Sequence, residues 1–598
     1  MANFHFSPRP NRAHEIHWHE WGDAAFAQAK DQDKPILLAL SAVWCHWCHV
    51  MDETSYSDPA IIQAINERYV PIRVDNDMRP DVNRRYNLGG WPTTAFLTPD
   101  GDILSGGTYI PPSQMLLLVN QVADVYKSSK QSILDQVAKI HARRAVPNEP
   151  RATAKGELSM EIVEIVQKQV EENYDASYGG FGQEPKFPQT DVLEFLLATY
   201  YETRNESLLH MVTETLTQMA RGGMYDHEAG GFFRYSTTRD WSTPHFEKML
   251  EDNAKLLAVY SHAWQVEQKE LFAETMHSTI EYVQSTLADL QHGGFYGSQD
   301  ADERYYSLSL AERAQWPPPY VDHTFYTDWN ALMVSAYLQA AMILSENHLQ
   351  AFALETLDRI WTEMYHPDSG LYHYARAGGP PQLPDQLSDL GRTTAAFLLA
   401  YQATGDSIYL SRARILADRA FAQLFDKESG GFWSEPPAQD ALGLLRVPDK
   451  SIDENADMAS AFAALYRFTS DDSYRAAAEE SLVAFVDGHA QFGFMAANYA
   501  RAVDQFLNEP LEIRIVGGLD DERTRELHAA ALKVYAPGKL VQLLDPVRDT
   551  ERIAQFGYPA DVTPLAYVCV GTRCLAPVND PAALKEAMGQ MSRLGQAA

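Results

Sequence analysis

Four cysteines are the residues of this 598-residue chain whose type and spacing most directly indicate chemistry. They form two close pairs, Cys45 with Cys48 and Cys569 with Cys574, one near each end of the sequence. Four cysteines cannot build a disulfide framework in a chain this long, so redox chemistry or metal binding is their natural use. In the first pair two residues separate the sulfurs, which allows a disulfide to close within the first turn of a helix. The positive end of that helix lowers the pKa of a thiol placed there.

The segments around the first pair predict the order of elements found in a thioredoxin fold. The apolar run PILLALSAVW predicts a strand before Cys45, a helix is expected after it, and YVPIRVDND predicts a second strand. Trp91 and Pro92 then precede a strand, a PDG turn and another strand. In that fold the proline is cis and exposes a backbone edge to substrate beside the disulfide. We therefore predict Cys45 as the attacking thiolate, Cys48 as the resolving thiol, and Trp91 and Pro92 as substrate-binding residues.

Two alternative interpretations of the first pair remain open. The segment from Cys45 to His49 also fits C-x-x-C-H, the attachment pattern of haem c. That chemistry normally requires export, and the N-terminal segment has no apolar core typical of a secretory signal. The other alternative is a degenerate module whose thiols no longer turn over, although a protonated His46 between the cysteines would favour the reactive thiolate. No cofactor and no metal site are predicted.

The second pair lies in the stretch AYVCVGTRC, near the end of a small α/β unit predicted for residues 509–598. Neighbouring positions of a strand alternate between its faces, so Cys569 and Cys574 would meet only across a turn at Gly571 and Thr572. A second redox pair, half of a metal site shared with the first pair, and two unrelated packed thiols are all compatible with this spacing. We favour two unrelated thiols.

A glycine-aromatic signature recurs six times between residues 156 and 508, in a region of long predicted helices. The copies are YGGF at 178–181, GGFF at 230–233, GGFY at 293–296, SGLY at 369–372, GGFW at 430–433 and FGF at 492–494. A period of about 60 residues leaves room for two helices and a loop in each unit. Because no polar capping repeat of an open solenoid is visible, six such hairpins predict a closed (α/α)6 toroid.

The predicted organisation is therefore multidomain. A thioredoxin-like α/β domain is expected at 1–145, an all-α toroid of six helical hairpins at 156–508, and a small α/β domain at 509–598. Short turns such as TGDSIYL join the helices of a pair, whereas long segments follow the glycine-aromatic signatures. The long segments should gather on one face of the toroid and surround a funnel-shaped pocket.

Polar residues in these long segments are the candidates for a site in the funnel. His245 and Asp252 fall on one face of the helix predicted in TPHFEKMLEDNAKLLAVY, and we predict them as catalytic residues. The predicted substrate-binding residues of the funnel are Tyr225, Asp226, Arg234, Glu247, Asp300, Asp302 and Asn330. Four further aspartates start predicted helices and are interpreted as N-caps rather than catalysts: Asp191, Asp328, Asp389 and Asp453.

The charge of the chain excludes several classes of partner. Lysine and arginine total 49 against 81 aspartates and glutamates, which gives a net charge of −32. Such a surface repels phosphate backbones and anionic lipids, so neither nucleic acid nor membrane is an expected partner. No apolar run reaches the roughly 18 residues that a spanning helix requires. We expect a cytoplasmic location.

Motifs along nearly the whole chain resemble the spermatogenesis-associated, thioredoxin-domain-containing family. They include WCHWCHVM at 44–51, GGWPTTAFLTPDG at 89–101, ARGGMYDHEAGGFFRYS at 220–236, PHFEKMLEDNA at 244–254 and AYVCVGTRCLAPV at 566–578. The resemblance implies a thioredoxin-like domain fused to a toroid similar to N-acylglucosamine 2-epimerases and six-hairpin glycosidases. One stretch departs from the family pattern, because DHTFYTDWNALM has His323 where a lysine is expected.

Three functions from different classes follow. The first is thiol–disulfide exchange at Cys45 and Cys48, with a small-molecule or thiol/disulfide substrate and a thioredoxin-type reductant as partner. The second is carbohydrate chemistry in the toroid, where His245 and an acidic partner would move protons as an epimerase or isomerase requires. A glycosidase would instead need two carboxylates about 5 Å apart for retention, or farther apart for inversion. The third is a non-enzymatic ligand-binding or redox-regulated scaffold protein.

Overall fold

The computed structural model describes residues 4–145, 156–438, 440–559, 561 and 564–596. The chain divides into two compact units. Unit 1 comprises Met1–Ala154 together with Glu435–Asp449, and unit 2 comprises Lys155–Ser434 and Lys450–Ala598. Among the residues described, no helix combines the length and the apolar character needed to cross a membrane.

Unit 1 is a four-stranded sheet with helices on both faces, the predicted thioredoxin-like fold. Its elements are α1 (Asp23–Gln32), β1 (Ile36–Ser41), α2 (His46–Glu53), α3 (Pro59–Arg68), β2 (Val70–Asp75), α4 (Pro80–Tyr86), β3 (Thr93–Leu97), β4 (Ile103–Gly107) and α5 (Pro112–Ala145). The strand order is β2–β1–β3–β4, with β1 parallel to β2 and antiparallel to β3. Alternate residues of β1 enter two apolar clusters, because successive side chains of a strand point to opposite faces.

The segment Glu435–Asp449 packs within unit 1, although the sequence pattern had placed it inside the toroid. The N–H of Leu444 donates to the hydroxyl oxygen of Tyr86 over 2.8 Å. Arg85 donates to Glu435 over 2.6 Å. Three leucines of the segment pack against one apolar cluster of the sheet: Leu442, Leu444 and Leu445.

Unit 2 contains fourteen helices between residues 160 and 507. In chain order they are α6 (Met160–Asn173), α7 (Thr190–Thr203), α8 (Glu206–Arg221), α9 (Leu250–Val266), α10 (Glu270–Tyr282), α11 (Glu303–Tyr306), α12 (Leu310–Arg313), α13 (Thr327–Leu344), α14 (Asn347–Arg359), α15 (Leu387–Thr404), α16 (Ser407–Leu424), α17 (Ile452–Thr469), α18 (Asp472–Val483) and α19 (Ala497–Leu507). Short strands lie in the loops before inner helices: β5 (Tyr235–Ser236), β6 (Pro244–His245), β7 (Lys248–Met249), β8 (Ser298–Gln299), β9 (Val321–Asp322), β10 (Phe325–Tyr326), β11 (Tyr365–His366), β12 (Gly370–Ala375) and β13 (Gln382–Pro384).

Six of these helices form a closed inner ring, as predicted. They follow the order α7, α9, α13, α15, α17 and α19, and α19 packs back against α7. Each inner helix also packs against an outer one, in the pairs α7 with α8, α9 with α10, α13 with α14, α15 with α16, α17 with α18 and α19 with α6. The short turns between inner and outer helices end in side-chain caps, at Asn205, Asp406 and Asp471. All long loops therefore enter the ring at the N-termini of the inner helices.

An asparagine on an inner helix fixes each of three glycine-aromatic loops. Asn253 accepts the N–H of Phe232 over 2.7 Å and donates to its carbonyl over 3.1 Å. The same pair of bonds joins Asn330 to Phe295 and Asn455 to Phe432. The backbone of the first of these loops also lies close to α10. A Cβ on Gly231, which has a φ of +77°, would stand 2.3 Å from the ring of Tyr282. Glycine is required there for both reasons.

In three of the loops an aspartate four residues before the glycines is anchored by a lysine. Asp226 accepts bonds of 2.7 Å from Lys248 and from Arg313, and Lys248 also donates to the carbonyl of Gly230 over 2.7 Å. Lys186 with Asp175 and Lys450 with Asp426 repeat the arrangement. These three aspartate–lysine anchors hold the loops against the ring.

The hairpin without the family's lysine has a different cation at this position. Asp289 accepts a bond of 3.1 Å from Arg359, which arrives from α14 rather than from the loop before the inner helix. His323 instead places its ring 4.3 Å from the ring of Tyr296. In this hairpin an arginine from the outer ring therefore anchors the aspartate that a lysine anchors in the other three.

The C-terminal α/β element packs on the toroid within unit 2. It consists of β14 (Leu511–Val516), α20 (Glu522–Leu532), β15 (Leu540–Leu544), α21 (Thr550–Gln555), β16 (Leu565–Val570), β17 (Arg573–Cys574) and α22 (Pro581–Gln596). The strand order is β15–β14–β16–β17. Cys569 and Cys574 face each other across the β16–β17 hairpin and form a disulfide, with Gly571 in the turn. The interpretation of these two cysteines as unrelated thiols is therefore wrong.

Candidate functional site

The Cys45–Cys48 disulfide lies at the N-terminus of α2. Cys45 is the N-cap residue, and its Sγ accepts the backbone N–H of Cys48 over 3.2 Å. A helix N-terminus stabilises negative charge, so reduction of the disulfide would leave a thiolate favoured at Cys45. Both cysteines are buried, whereas Trp47 between them is 45% exposed. The element order of unit 1 thus places the pair where thiol chemistry is favoured.

Aromatic side chains surround the redox pair. The Trp91–Pro92 peptide bond is cis, as predicted. The ring of Trp91 lies 5.8 Å from that of Trp44, directly before Cys45, and Trp47 lies 5.1 Å from Tyr109. The partly exposed rings of Trp47, Trp91 and Tyr109 form an apolar rim suited to contact a peptide or another apolar substrate, whereas Trp44 is buried.

Buried polar groups on α2 and β2 support the element that carries the pair. Arg73 donates to both oxygens of Asp52, over 2.8 and 2.9 Å, so the two buried charges compensate each other. His49 places its Nε2 3.0 Å from the carbonyl oxygen of Val43, and burial lowers its pKa to about 3. Because the two sulfurs are bonded to each other and this imidazole contacts the backbone, the structure does not support the haem c interpretation.

A second cluster of functional groups lies at the N-termini of the inner helices. Arg392 on α15 lies 2.9 Å from Asp328 on α13, 3.3 Å from Glu251 on α9 and 3.7 Å from Asp457 on α17. Lys255 is 3.0 Å from Glu251. Burial opposes ionisation of Glu251, but Lys255 and Arg392 together lower its pKa to about 2. One guanidinium thus connects four inner helices at the base of the long loops.

His245 is held in a defined orientation beside this cluster. Its Nδ1 lies 2.7 Å from each carboxylate oxygen of the buried Glu247, and its ring stacks on Tyr235 with centroids 4.8 Å apart. The backbone N–H of Arg234 donates to the carbonyl of Glu247 over 2.9 Å. The carboxylate favours a proton on Nδ1 and so fixes the tautomer and the orientation of the ring.

Two aspartates of the cluster titrate near neutral pH. Burial and the charge of Glu251 raise the pKa of Asp252 to about 7, against the opposing effect of Arg234. Burial, with Asp191 nearby, raises the pKa of Asp453 to about 7 as well. A carboxyl with such a pKa can act as an acid or as a base at physiological pH.

The first-turn aspartates do not cap their helices, so the N-cap interpretation is wrong. The cap residues of α7, α13, α15 and α17 are Gln189, Tyr326, Gln386 and Ser451. Asp328 instead pairs with Arg392, and Asp389 accepts from Nδ1 of His373 over 2.9 Å. Burial raises the pKa of Asp389 above its usual range. His373 directly follows the signature SGLY at 369–372, but it was not among the residues predicted for the funnel.

The structure separates the predicted funnel residues into two groups. Arg234, His245, Glu247 and Asp252 come together. The others hold the scaffold: Asp226 and Asn330 anchor glycine-aromatic loops, Asp302 caps α11, Tyr225 packs on Phe232, and the N–H of Asp300 donates to the carbonyl of Tyr320.

One group of side chains has the geometry to hold a cation within the described part of the chain. The ligand atoms of Asp328, His373 and Asp389 all lie within 4.8 Å of one another. Asp328 is already paired with Arg392, and His373 with Asp389, so the negative charge of this group is largely compensated.

The two sites and their folds define the class of protein: a thioredoxin-like unit with a C-x-x-C disulfide, joined to an (α/α)6 toroid. Residues 9–144 match the DsbH-type thioredoxin model, described as "Protein of unknown function, DUF255". Residues 230–435 match the N-acylglucosamine 2-epimerase model. Spermatogenesis-associated protein 20 of Homo sapiens is 26% identical to the chain over 96% of this chain and 89% of its own length. The resemblance predicted from the sequence motifs is therefore confirmed.

One further curated protein and one solved structure are also similar to parts of the chain. Thiol:disulfide interchange protein DsbD 1 of Pseudomonas aeruginosa is 38% identical over 84 residues, which are 13% of this chain and 14% of that protein. The crystal structure of a D-mannose isomerase covers 59% of this chain and 98% of its own, with 13% identity and a TM-score of 0.48.

Proposed function

We propose that the protein is a thiol–disulfide oxidoreductase whose reactive centre is the Cys45–Cys48 pair. The observation that carries the proposal is the disulfide between these residues at the N-terminus of α2. The cis Trp91–Pro92 peptide and the aromatic rim supply a surface for a substrate that carries a disulfide. The local similarity to a thiol:disulfide interchange protein supports the same chemistry.

The exchange follows from the two positions of the cysteines. In the reduced protein the Cys45 thiolate attacks one sulfur of a substrate disulfide, and the other substrate sulfur leaves as a thiolate that takes up a proton. Cys48 then loses its proton and attacks Sγ of Cys45, which forms the internal disulfide and releases the second substrate thiolate. Two electrons pass from the protein dithiol to the substrate, and an external dithiol restores the reduced protein.

Insulin reduction with dithiothreitol as the external dithiol tests this proposal. The wild-type protein should accelerate precipitation of the insulin B chain above the rate with dithiothreitol alone. The double variant Cys569→Ala/Cys574→Ala is the matched control, because it removes the hairpin disulfide and leaves Cys45 and Cys48 intact; it should accelerate the reaction equally. A wild-type rate equal to that of dithiothreitol alone would refute the oxidoreductase assignment.

We also propose that the toroid moves a proton on a polyhydroxylated substrate. Two groups support this: the imidazole of His245, oriented by Glu247, and the carboxyl of Asp252, whose pKa is about 7. One would remove the proton from the carbon next to the carbonyl of an open-chain sugar, and the other would return a proton to a carbon or oxygen of the resulting enediol. The match to the N-acylglucosamine 2-epimerase model supports this class over hydrolysis.

Hydrogen exchange at C2 of N-acetyl-D-glucosamine and D-mannose in D2O tests the second proposal by proton NMR. Asp252 is protonated below about pH 7 and carries a charge above it, so exchange should rise with pH through about 7. Asp252→Asn should abolish this rise, whereas Asp240→Asn, an exposed loop aspartate, should not. The proposal would be contradicted if neither sugar exchanged hydrogen between pH 5 and 9. It would also be contradicted if the Asp252→Asn variant showed the same rise of exchange with pH as the wild-type protein.

A further inference from the structure

A cavity of about 220 Å³ lies inside unit 2, away from both sites described above. It reaches the C-terminal ends of α9, α13 and α15, and the chain between α20 and β15 lines its other side. At about 30 Å³ per water the volume corresponds to roughly seven water molecules. Pockets for drug-sized ligands are larger, about 300–1,000 Å³, so this cavity suits a small metabolite.

Two cationic side chains line the cavity, Arg501 and Lys539. Arg501 on α19 lies 3.9 Å from Glu194, which already accepts from Nδ1 of His262 over 2.9 Å. Lys539 donates to three carbonyl oxygens, those of Ala531 over 2.8 Å, Leu532 over 2.9 Å and Val534. In the described part of the chain no carboxylate lies within ion-pair distance of Lys539, and burial lowers its pKa to about 7. A bound anion would favour the protonated form of Lys539 and supply the counter-charge that this side chain lacks.

The cavity also presents an acceptor that requires a donor. Gln339 on α13 lines it, and its Oε1 is buried with no hydrogen-bond partner among the described residues. An unsatisfied buried carbonyl is costly, and an anionic group cannot relieve it because it brings no proton. A hydroxyl group can. Tyr535 adds an aromatic face, with its ring 5.3 Å from that of His262.

We propose that this cavity binds a small hydroxylated anion, either a sugar acid or a sugar phosphate. Its negative group faces Arg501 and Lys539, and one of its hydroxyl groups donates to Oε1 of Gln339. The site is separate from the cluster around Arg392, because its lining residues come from the C-terminal ends of inner helices and from the 532–539 chain. The proposal rests on neither of the functions proposed above.

Isothermal titration calorimetry of the full-length protein with four probes tests this site. D-gluconate or D-glucose 6-phosphate should bind, whereas neutral D-glucose should not, and inorganic phosphate should bind more weakly because it lacks the hydroxylated chain. Binding of only gluconate would identify a carboxylate ligand, and binding of only glucose 6-phosphate a phosphorylated one. No binding of either anion, or equal binding of D-glucose, would overturn the proposal.

Variants locate the binding. Arg501→Gln should weaken the tighter anion at least about tenfold, since bonds to a charged group contribute about 1.5–3 kcal/mol. Arg475→Gln, an exposed arginine on α18, is the matched control and should leave the affinity unchanged. Should Arg501→Gln fail to fold, Gln339→Leu should weaken the hydroxylated anion and leave inorganic phosphate unaffected. Unchanged affinity for the hydroxylated anion in the variant that folds would place the ligand elsewhere and overturn the proposal.

Discussion

Cys45→Ser is expected to reduce catalysed insulin reduction to the rate of dithiothreitol alone. A serine hydroxyl stays protonated and cannot form a mixed disulfide, so the first step of exchange is lost. Cys48→Ser should also stop turnover, but for a different reason: the first attack still occurs and the adduct on Cys45 has no resolving thiol. The measurement is the rate of insulin precipitation at equal protein concentration.

Controls separate chemistry from folding in this experiment. Circular dichroism and thermal unfolding of Cys45→Ser should match those of the reduced wild-type protein, since both lack the Cys45–Cys48 bond. The Cys569→Ala/Cys574→Ala variant keeps full activity if the first pair alone carries the reaction. An active Cys45→Ser protein would show that some other thiol is the nucleophile.

Asp226→Ala is expected to lower the free energy of unfolding of unit 2 by about 3–5 kcal/mol, the range for removing one partner of a buried ion pair. The substitution leaves Lys248 and Arg313 buried without their shared counter-charge. It also removes the carboxylate oxygen that accepts the N–H groups of Glu228 over 3.1 Å and of Ala229 over 3.3 Å, so the loop before Gly230 loses two of its bonds. Urea unfolding followed by tryptophan fluorescence gives the change.

Asp426→Ala is the matched comparison for that prediction, because it removes the same anchor from another hairpin. The side chain of Lys450 is 14% exposed, whereas that of Lys248 is fully buried, so water can solvate the released ammonium. The loss of stability at Asp426 should therefore be smaller. Equal losses at the two positions would show that loop anchoring, and not the buried charge, determines the effect.

The sequence was sufficient to predict the architecture because its signals are local and repeated. Glycine-aromatic pairs mark each hairpin, and the run before Cys45 predicts a strand followed by a helix. Pro92 is marked by the strand and PDG turn that follow it, and the capped short turns by their small polar residues. Each of these features depends on residues within a few positions of one another, so no knowledge of the closed ring was needed.

The toroid site was predicted only in part, because closure of the ring assembles it. His245 and Glu247 are two residues apart and were both singled out from the sequence. Arg392, however, gains its role only where α9, α13 and α17 meet α15, and no local pattern distinguishes it from other helix arginines. Asp453 stands at the start of its predicted helix, where an aspartate is usually the N-cap, and it was therefore interpreted as a cap. Its raised pKa comes from burial and from charges on neighbouring helices.

Trapping of a mixed disulfide on the Cys48→Ser variant tests the central claim most directly. The reduced variant is mixed with oxidised glutathione, alkylated, and analysed by intact-mass and peptide mass spectrometry. The account predicts one glutathione per chain, bound to Cys45, and no adduct at this position in Cys45→Ser/Cys48→Ser. The claim that this pair is a redox centre would be contradicted if Cys45 stayed unmodified in the folded variant but was modified by glutathione in the unfolded protein.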